Sequence, residues 1–125
     1  MTLITQDSAP PFVAGGTTVT GYAAPSRGST AISLWRIELA PGTTSPLHRV
    51  DVEEVFLATG GRAVATIDGT QYAVSVGDCL ILPAGAPFTI SAAADAPFLA
   101  VACMPAGGKA TLLPDGPTFV PPWAE

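Results

Sequence analysis

Histidine is nearly missing from this chain: His48 is the one instance in 125 residues. A site that needs several imidazoles cannot be assembled from a single copy. Charge is scarce as well, at 12% of residues where about 25% is ordinary for a soluble domain. The five basic residues, Arg27, Arg36, Arg49, Arg62 and Lys109, are scattered singly against ten acidic ones, and the net charge is −5. With no basic patch to neutralise phosphates, neither nucleic acid nor an anionic membrane is an expected partner. No apolar run reaches the roughly 18 residues that a membrane-crossing helix needs. The opening MTLITQDSAPPF lacks the basic start and apolar centre of a secretion signal, so the expected location is the cytoplasm. Only two cysteines occur, Cys79 and Cys103, both within apolar runs and not in a CxxC arrangement. They are expected to be two buried, reduced thiols. Gly60-Gly61 and Gly107-Gly108 are not followed by the Lys-Ser/Thr of a phosphate loop, and no nucleophile elbow is present.

What the chain does have is glycine, proline and short apolar alternations. Thirteen Gly and thirteen Pro punctuate a sequence that is 48% hydrophobic, and no amphipathic helical stretch of useful length interrupts them. Trp35, Ile37 and Leu39 alternate with Arg36 and Glu38, the period of two that suits a half-buried strand. Further strands are predicted over 54–58, 62–67, 71–76, 79–82, 88–92 and 96–104, with a short piece at 17–22. Asp68-Gly69 marks a tight hairpin, because glycine tolerates the positive φ of a type I′ turn. Short strands with a turn signal at each break predict an all-β fold, an antiparallel barrel of jelly-roll type. The length suits one domain with a real hydrophobic core. Within it, residues 1–30 read as an N-terminal arm with a short strand, 31–113 as the barrel, and 114–125 as an extended tail that Trp123 packs back onto the barrel.

Two blocks carry a more specific pattern. Gly42 is followed after five residues by His48, then by Glu54 and Gly61; later, Gly77 is followed after five residues by Pro83-Ala84-Gly85, with Phe88 just beyond. Together they resemble the two motifs of the cupin family, over about residues 35–103. The family's first motif runs Gly, five residues, His-x-His, three or four residues, Glu, six residues, Gly. Its second runs Gly, five residues, Pro-x-Gly, two residues, His. Every spacing agrees here, but Val50 stands at the second histidine and Phe88 at the third. The resemblance implies a double-stranded β-helix, or jelly-roll barrel. Metal-binding members hold iron, manganese, nickel or zinc inside it on three histidines and one glutamate, and of that set only His48 and Glu54 remain.

Firm binding of a divalent metal takes three or four protein donors. With two, the expectation is no cofactor, or a divalent transition metal held at low affinity by His48 and Glu54. Asp51, Glu53 and Gln71 are conceivable substitute donors, but the strand neighbours of Glu54 point to the opposite face. The residues alone leave Glu53 and Glu54 open as the inward acid, and the resemblance to the cupin motif favours Glu54. Val50 and Phe88 make the interior drier, and a carboxylate there is costly to ionise without a partner. His48 is the expected partner, and the pair is a candidate general base and acid. Phe56 shares the parity of Glu54, while Phe88 and Ile90 face it from the opposite sheet. Val50, Phe56, Phe88 and Ile90 are therefore candidate walls of an apolar ligand pocket; they also read as plain barrel core. Arg36 either reaches a ligand carboxylate or sits in water on the outer face. Three functions stand open. One is a metal-free or weakly metal-binding barrel that holds a small, largely apolar molecule. Another is a small enzyme (isomerase, cyclase, lyase or residual-metal oxygenase) with His48 and Glu54 catalytic. The third is a barrel whose role is assembly. The resemblance, the low charge and the open sheet edges lead to an expected homodimer, paired through edges and N-terminal arms.

Overall fold

Strand alternation and turn residues build twelve strands, in a computed structural model that describes residues 2–125. In chain order they are β1 Pro11–Ala14, β2 Thr17–Ala23, β3 Ile32–Leu39, β4 His48–Val50, β5 Glu54–Gly60 and β6 Arg62–Ile67. Then come β7 Thr70–Ser75, β8 Cys79–Leu82, β9 Phe88–Ala92, β10 Phe98–Pro105, β11 Ala110–Leu112 and β12 Thr118–Phe119. They form two six-stranded antiparallel sheets: sheet I in the order β1-β2-β3-β10-β5-β8 and sheet II in the order β12-β11-β4-β9-β6-β7. The inward residues of both sheets share one core, with Trp35, Leu39, Phe56, Phe98 and Met104 from sheet I against Val50, Ala65, Phe88 and Ile90 from sheet II. This is the predicted jelly-roll barrel. The predicted bounds of β6, β8 and β9 agree with those observed. The strands that periodicity does not mark, β1, β4, β11 and β12, are two to four residues long, too short to display it.

The segment expected as an arm is drawn into the sheet. β2 pairs along β3 from Thr17↔Leu39 to Ala23↔Leu34, and β1 pairs along β2. The tail lies back on the barrel. Ala124 is fully buried, Ser33 Oγ donates to its carbonyl at 2.9 Å, and the Trp123 ring lies 6.3 Å from Phe12 and 6.4 Å from Trp35. Arg27 donates to the carbonyls of Tyr22 and Trp123, tying the tail to the end of β2. Among the described residues no helix is long and apolar enough to cross a membrane.

The glycines of the two motifs answer to the backbone. Gly42, Gly61, Gly77 and Gly85 have φ of 73°, 70°, 91° and 81°, in the region where a side chain is strained. At Gly61 a Cβ would also run into the Pro97 carbonyl. These positions require glycine whatever the barrel binds, so the skeleton of the motifs persists while two of the ligand positions have changed. The Asp68-Gly69 hairpin takes positive φ at both residues, 50° and 82°, as a type I′ turn demands. The cysteines depart from expectation. Both are unpaired, but Cys79 is exposed and Cys103 half-buried. Their apolar runs lie on strands with two different faces: Leu80, Leu82, Ala102 and Met104 take the inward positions, which leaves the thiols pointing out.

Candidate functional site

β4, β5 and β9 carry the candidate residues towards one end of the barrel. His48 on β4 stands directly opposite Phe88 on β9, and Glu54 on β5 stands opposite Leu82 on β8. The turn Pro83–Pro87 joins Leu82 to Phe88, so it links the strand partner of the acid to the strand partner of the histidine. The Gly85 N–H donates to the Val50 carbonyl at 2.7 Å and fixes this turn to β4.

All four expected wall residues point inward: Val50, Phe56, Phe88 and Ile90 are each no more than 5% exposed. Phe56 meets Phe88 edge-on with centroids 6.4 Å apart. The wall is thus also part of the core. Glu54 is buried and Glu53 exposed, which settles which acid faces inward and follows from strand alternation. Among the described residues, Oε1 of Glu54 is one of two buried side-chain polar atoms without a hydrogen-bond partner; the other is the indole nitrogen of Trp123. Removed from water and given no counter-charge, the Glu54 carboxyl has its pKa pushed up to about 8 by burial. At neutral pH it is mostly protonated.

His48 is held elsewhere. Its Nδ1 lies 2.7 Å from the Pro46 carbonyl, and its ring centre lies 4.3 Å from that of Phe88. A carbonyl only accepts, so Nδ1 carries the proton in the neutral ring and Nε2 is left as a base. Burial lowers the pKa of the ring, with the bond to Pro46 acting in the other direction. The expected contact between His48 and Glu54 is not formed: among the described residues no hydrogen bond or ion pair joins them. Phe88 lies beside the imidazole and Pro46 engages its Nδ1, so the histidine is anchored within sheet II while the acid hangs from sheet I.

The remaining donors do not complete a metal site. No group of three or more His, Cys, Asp or Glu converges among the described residues. Asp51, Glu53 and Gln71 are exposed, and the Asp51 carboxylate accepts a hydrogen bond from the Lys109 N–H at 2.7 Å. Val50 and Phe88 fill the other two positions with hydrocarbon. This donor set does not fit a firmly held divalent metal. Arg36 lies on the outer face of β3, between the inward positions of Trp35 and Ile37. An open cavity of about 540 Å³ borders the Pro83–Pro87 turn, with Ile67, Asp68, Thr70 and Tyr72 on its other side. Tyr72, which lines this cavity, was not singled out by the sequence pattern. It stands opposite Ala65 on the inward parity of β7, two residues before buried Val74, and that parity was the available signal.

This architecture is that of several solved proteins. The polyketide cyclase RemF from Streptomyces resistomycificus superposes with a TM-score of 0.77 at 16% identity, covering 98% of this chain and 88% of that one. The 7S globulin of Momordica charantia gives 0.76 at 22% identity, with 89% of this chain and 37% of the globulin covered. Salicylate 1,2-dioxygenase from Pseudaminobacter salicylatoxidans gives 0.72 at 18%, covering 82% and 32%. The chain thus spans about a third of the length of the last two, and at these identities the likeness speaks for the fold alone. No curated protein matches the sequence. The Cupin domain family matches residues 35–104, more than half of the chain and the part that carries both motifs and the buried acid, so this chain belongs to the cupin family.

Proposed function

We propose that this cupin binds a small, largely apolar molecule in its barrel, and that Glu54 meets the one hydrogen-bonding group of that molecule. The observation that carries this reading is the orphaned Oε1 of Glu54. A buried polar atom without a partner costs about 1–3 kcal/mol, and a hydrocarbon side chain of similar size would avoid that cost. A ligand that supplies the partner accounts for the acid. In its protonated form the carboxyl both donates and accepts, which suits a hydroxyl, carbonyl or amide group. Val50, Phe56, Phe88 and Ile90, packed in the core in the structure, would part to form the apolar wall around the ligand. The proposal includes a cytoplasmic location and no resident metal.

Glu54→Leu tests it. The substitution should raise the thermal midpoint by several degrees, because the orphaned group is gone. It should also abolish the thermal shift that small aromatic alcohols and ketones give the natural protein. A lowered midpoint would mean that Glu54 holds the barrel together, and the ligand reading would fall.

The separation of His48 from Glu54 favours a second reading, as an enzyme. A neutral imidazole with a free Nε2 and a neutral carboxylic acid, not spent on each other in an ion pair, are a base and an acid at one barrel end. Nε2 of His48 would take a proton from carbon next to a ligand carbonyl while Glu54 gives its proton to the carbonyl oxygen, forming an enol. With a double bond β,γ to that carbonyl in the ligand, His48 then returns its proton to the γ-carbon while Glu54 takes its proton back from the enol oxygen, which completes a double-bond isomerisation with both groups restored. The likeness to a polyketide cyclase is in keeping with such chemistry. His48→Ala separates the two readings: turnover lost with affinity retained identifies the enzyme, and affinity retained with no turnover in either protein identifies the binder.

A further inference from the structure

The cavity between the β6–β7 hairpin and the Pro83–Pro87 turn is separate from the packed interior: neither Glu54 nor Val50, Phe56, Phe88 or Ile90 lines it. Its two banks are fixed against each other. The Asp68 N–H, at the hairpin tip, donates to the Pro87 carbonyl at 2.8 Å, and the Gly85 N–H donates to the Val50 carbonyl at 2.7 Å. Pro83 and Pro87 lock φ at both ends of the turn. A cavity of about 540 Å³ with its walls already set suits a whole small molecule, because little chain has to be ordered on binding.

The lining indicates which chemistry. It holds one carboxylate, Asp68, one aromatic ring, Tyr72, and no Lys, Arg or His. Asp51, Asp78 and Asp95 accept hydrogen bonds from the Lys109 N–H, the Ser75 N–H and Arg62. Asp68 has no ion pair among the described residues. Arg62, the base on β6, stands at the far end of that strand and is paired with Asp95. Tyr72 is on the inward parity of β7 yet 48% exposed, because Ala65 opposite it is too small to cover the ring. Ile67, Pro83 and Pro87 add hydrocarbon. We infer that this cavity takes a small organic ammonium ion with an apolar body. Asp68 balances the charge, the face of the Tyr72 ring attracts the cation, and the hydrocarbon of the banks covers the rest. The net charge of −5 draws such a ligand and repels an anion.

Calorimetric titration with 2-phenylethylammonium, and with 2-phenylethanol as its neutral counterpart, tests the inference. The natural protein should bind the ammonium with Kd on the order of 0.1–1 mM. Asp68→Asn removes the charge and keeps the hairpin, since Asn adopts the positive φ of this turn as readily as Asp. It should weaken binding about fivefold. Tyr72→Leu should weaken it by a similar factor, about fivefold. Raising ionic strength from about 0.01 M to about 0.5 M should weaken binding to the natural protein and not to Asp68→Asn. Glu54→Leu should leave the ammonium affinity unchanged while it abolishes the response to the alcohol, so each of the two sites can fail without the other. Three results overturn the inference: no ammonium binding up to about 10 mM, an affinity that Asp68→Asn leaves unchanged, or its loss in Glu54→Leu, which would put the ammonium inside the barrel.

Discussion

Sheet II follows the ordinary rules on both faces, and sheet I breaks them on both. Inside, sheet II presents Val50, Ala65, Phe88 and Ile90, and its histidine, His48, has a partner in Pro46. Outside, it presents hydroxyls, an amide and arginine around Val64. Sheet I carries an unpartnered carboxyl inside, at Glu54, and Leu57, Val101 and Ile81 outside. A fold is most stable when polarity agrees with position, so places where it disagrees point to something outside the single chain. On the inner face of sheet I we assign that role to a ligand.

The largest expected consequence of this asymmetry is a dependence of stability on pH. In the fold Glu54 keeps its proton up to about pH 8, whereas its ordinary value is 4.5. The acid's contribution is present in full below about pH 4.5 and is lost as pH rises through about 8, after which the curve levels. The span corresponds to a loss on the order of 5 kcal/mol. Denaturant titrations should show a fall between about pH 6.5 and 8, where His48 no longer opposes it, and Glu54→Gln should remove that fall. A flat profile across that window in the natural protein would mean that Glu54 finds a partner in solution, and the inner asymmetry would be gone.

Next in size is the contrast between the two faces of sheet II. Phe88 is 2% exposed and touches both His48 and Phe56. Phe88→Ala should cost about 3–5 kcal/mol through lost burial and the cavity left behind. Val64→Ala, on the outer face of the same sheet, should stay within about 0.5 kcal/mol of the natural protein. Comparable losses at the two positions, measured by denaturant midpoints, would mean that Val64 is covered.

Much of this was legible in the sequence, and particular residues show why. The spacing of Gly42, Gly61, Gly77 and Gly85 announced the barrel because each is held at positive φ by a turn. The inward orientation of Glu54 was what the family spacing favoured, and that of Phe56 followed from sharing its parity. The pairing of His48 with Glu54 did not follow. Family spacing says that both side chains enter the barrel, but the Pro46 carbonyl and the Phe88 ring are contacts that spacing cannot reveal. The outward faces of Cys79 and Cys103 were hidden for a related reason. An apolar run is read as buried, and on sheet I the apolar residues occupy both parities of β5, β8 and β10.

The smallest effect tests that missing pair most directly. Burial lowers the pKa of His48 from 6.5, so the unfolded chain takes up a proton more readily than the fold as the solution becomes acid. Its contribution is present above about pH 6.5 and is lost as pH falls through the folded value, opposite in sign to that of Glu54. His48→Gln should cost about 1 kcal/mol at neutral pH through the bond to Pro46. If the two groups titrate separately, the variant falls more steeply with rising pH below about 6.5 and keeps the natural slope above it, where Glu54 acts alone. Were they one coupled pair, as the family spacing suggests, losing the histidine would change the slope on both sides of 6.5. The upper limb of the curve therefore decides whether sheet I leaves its acid unpaired or sheet II supplies the partner.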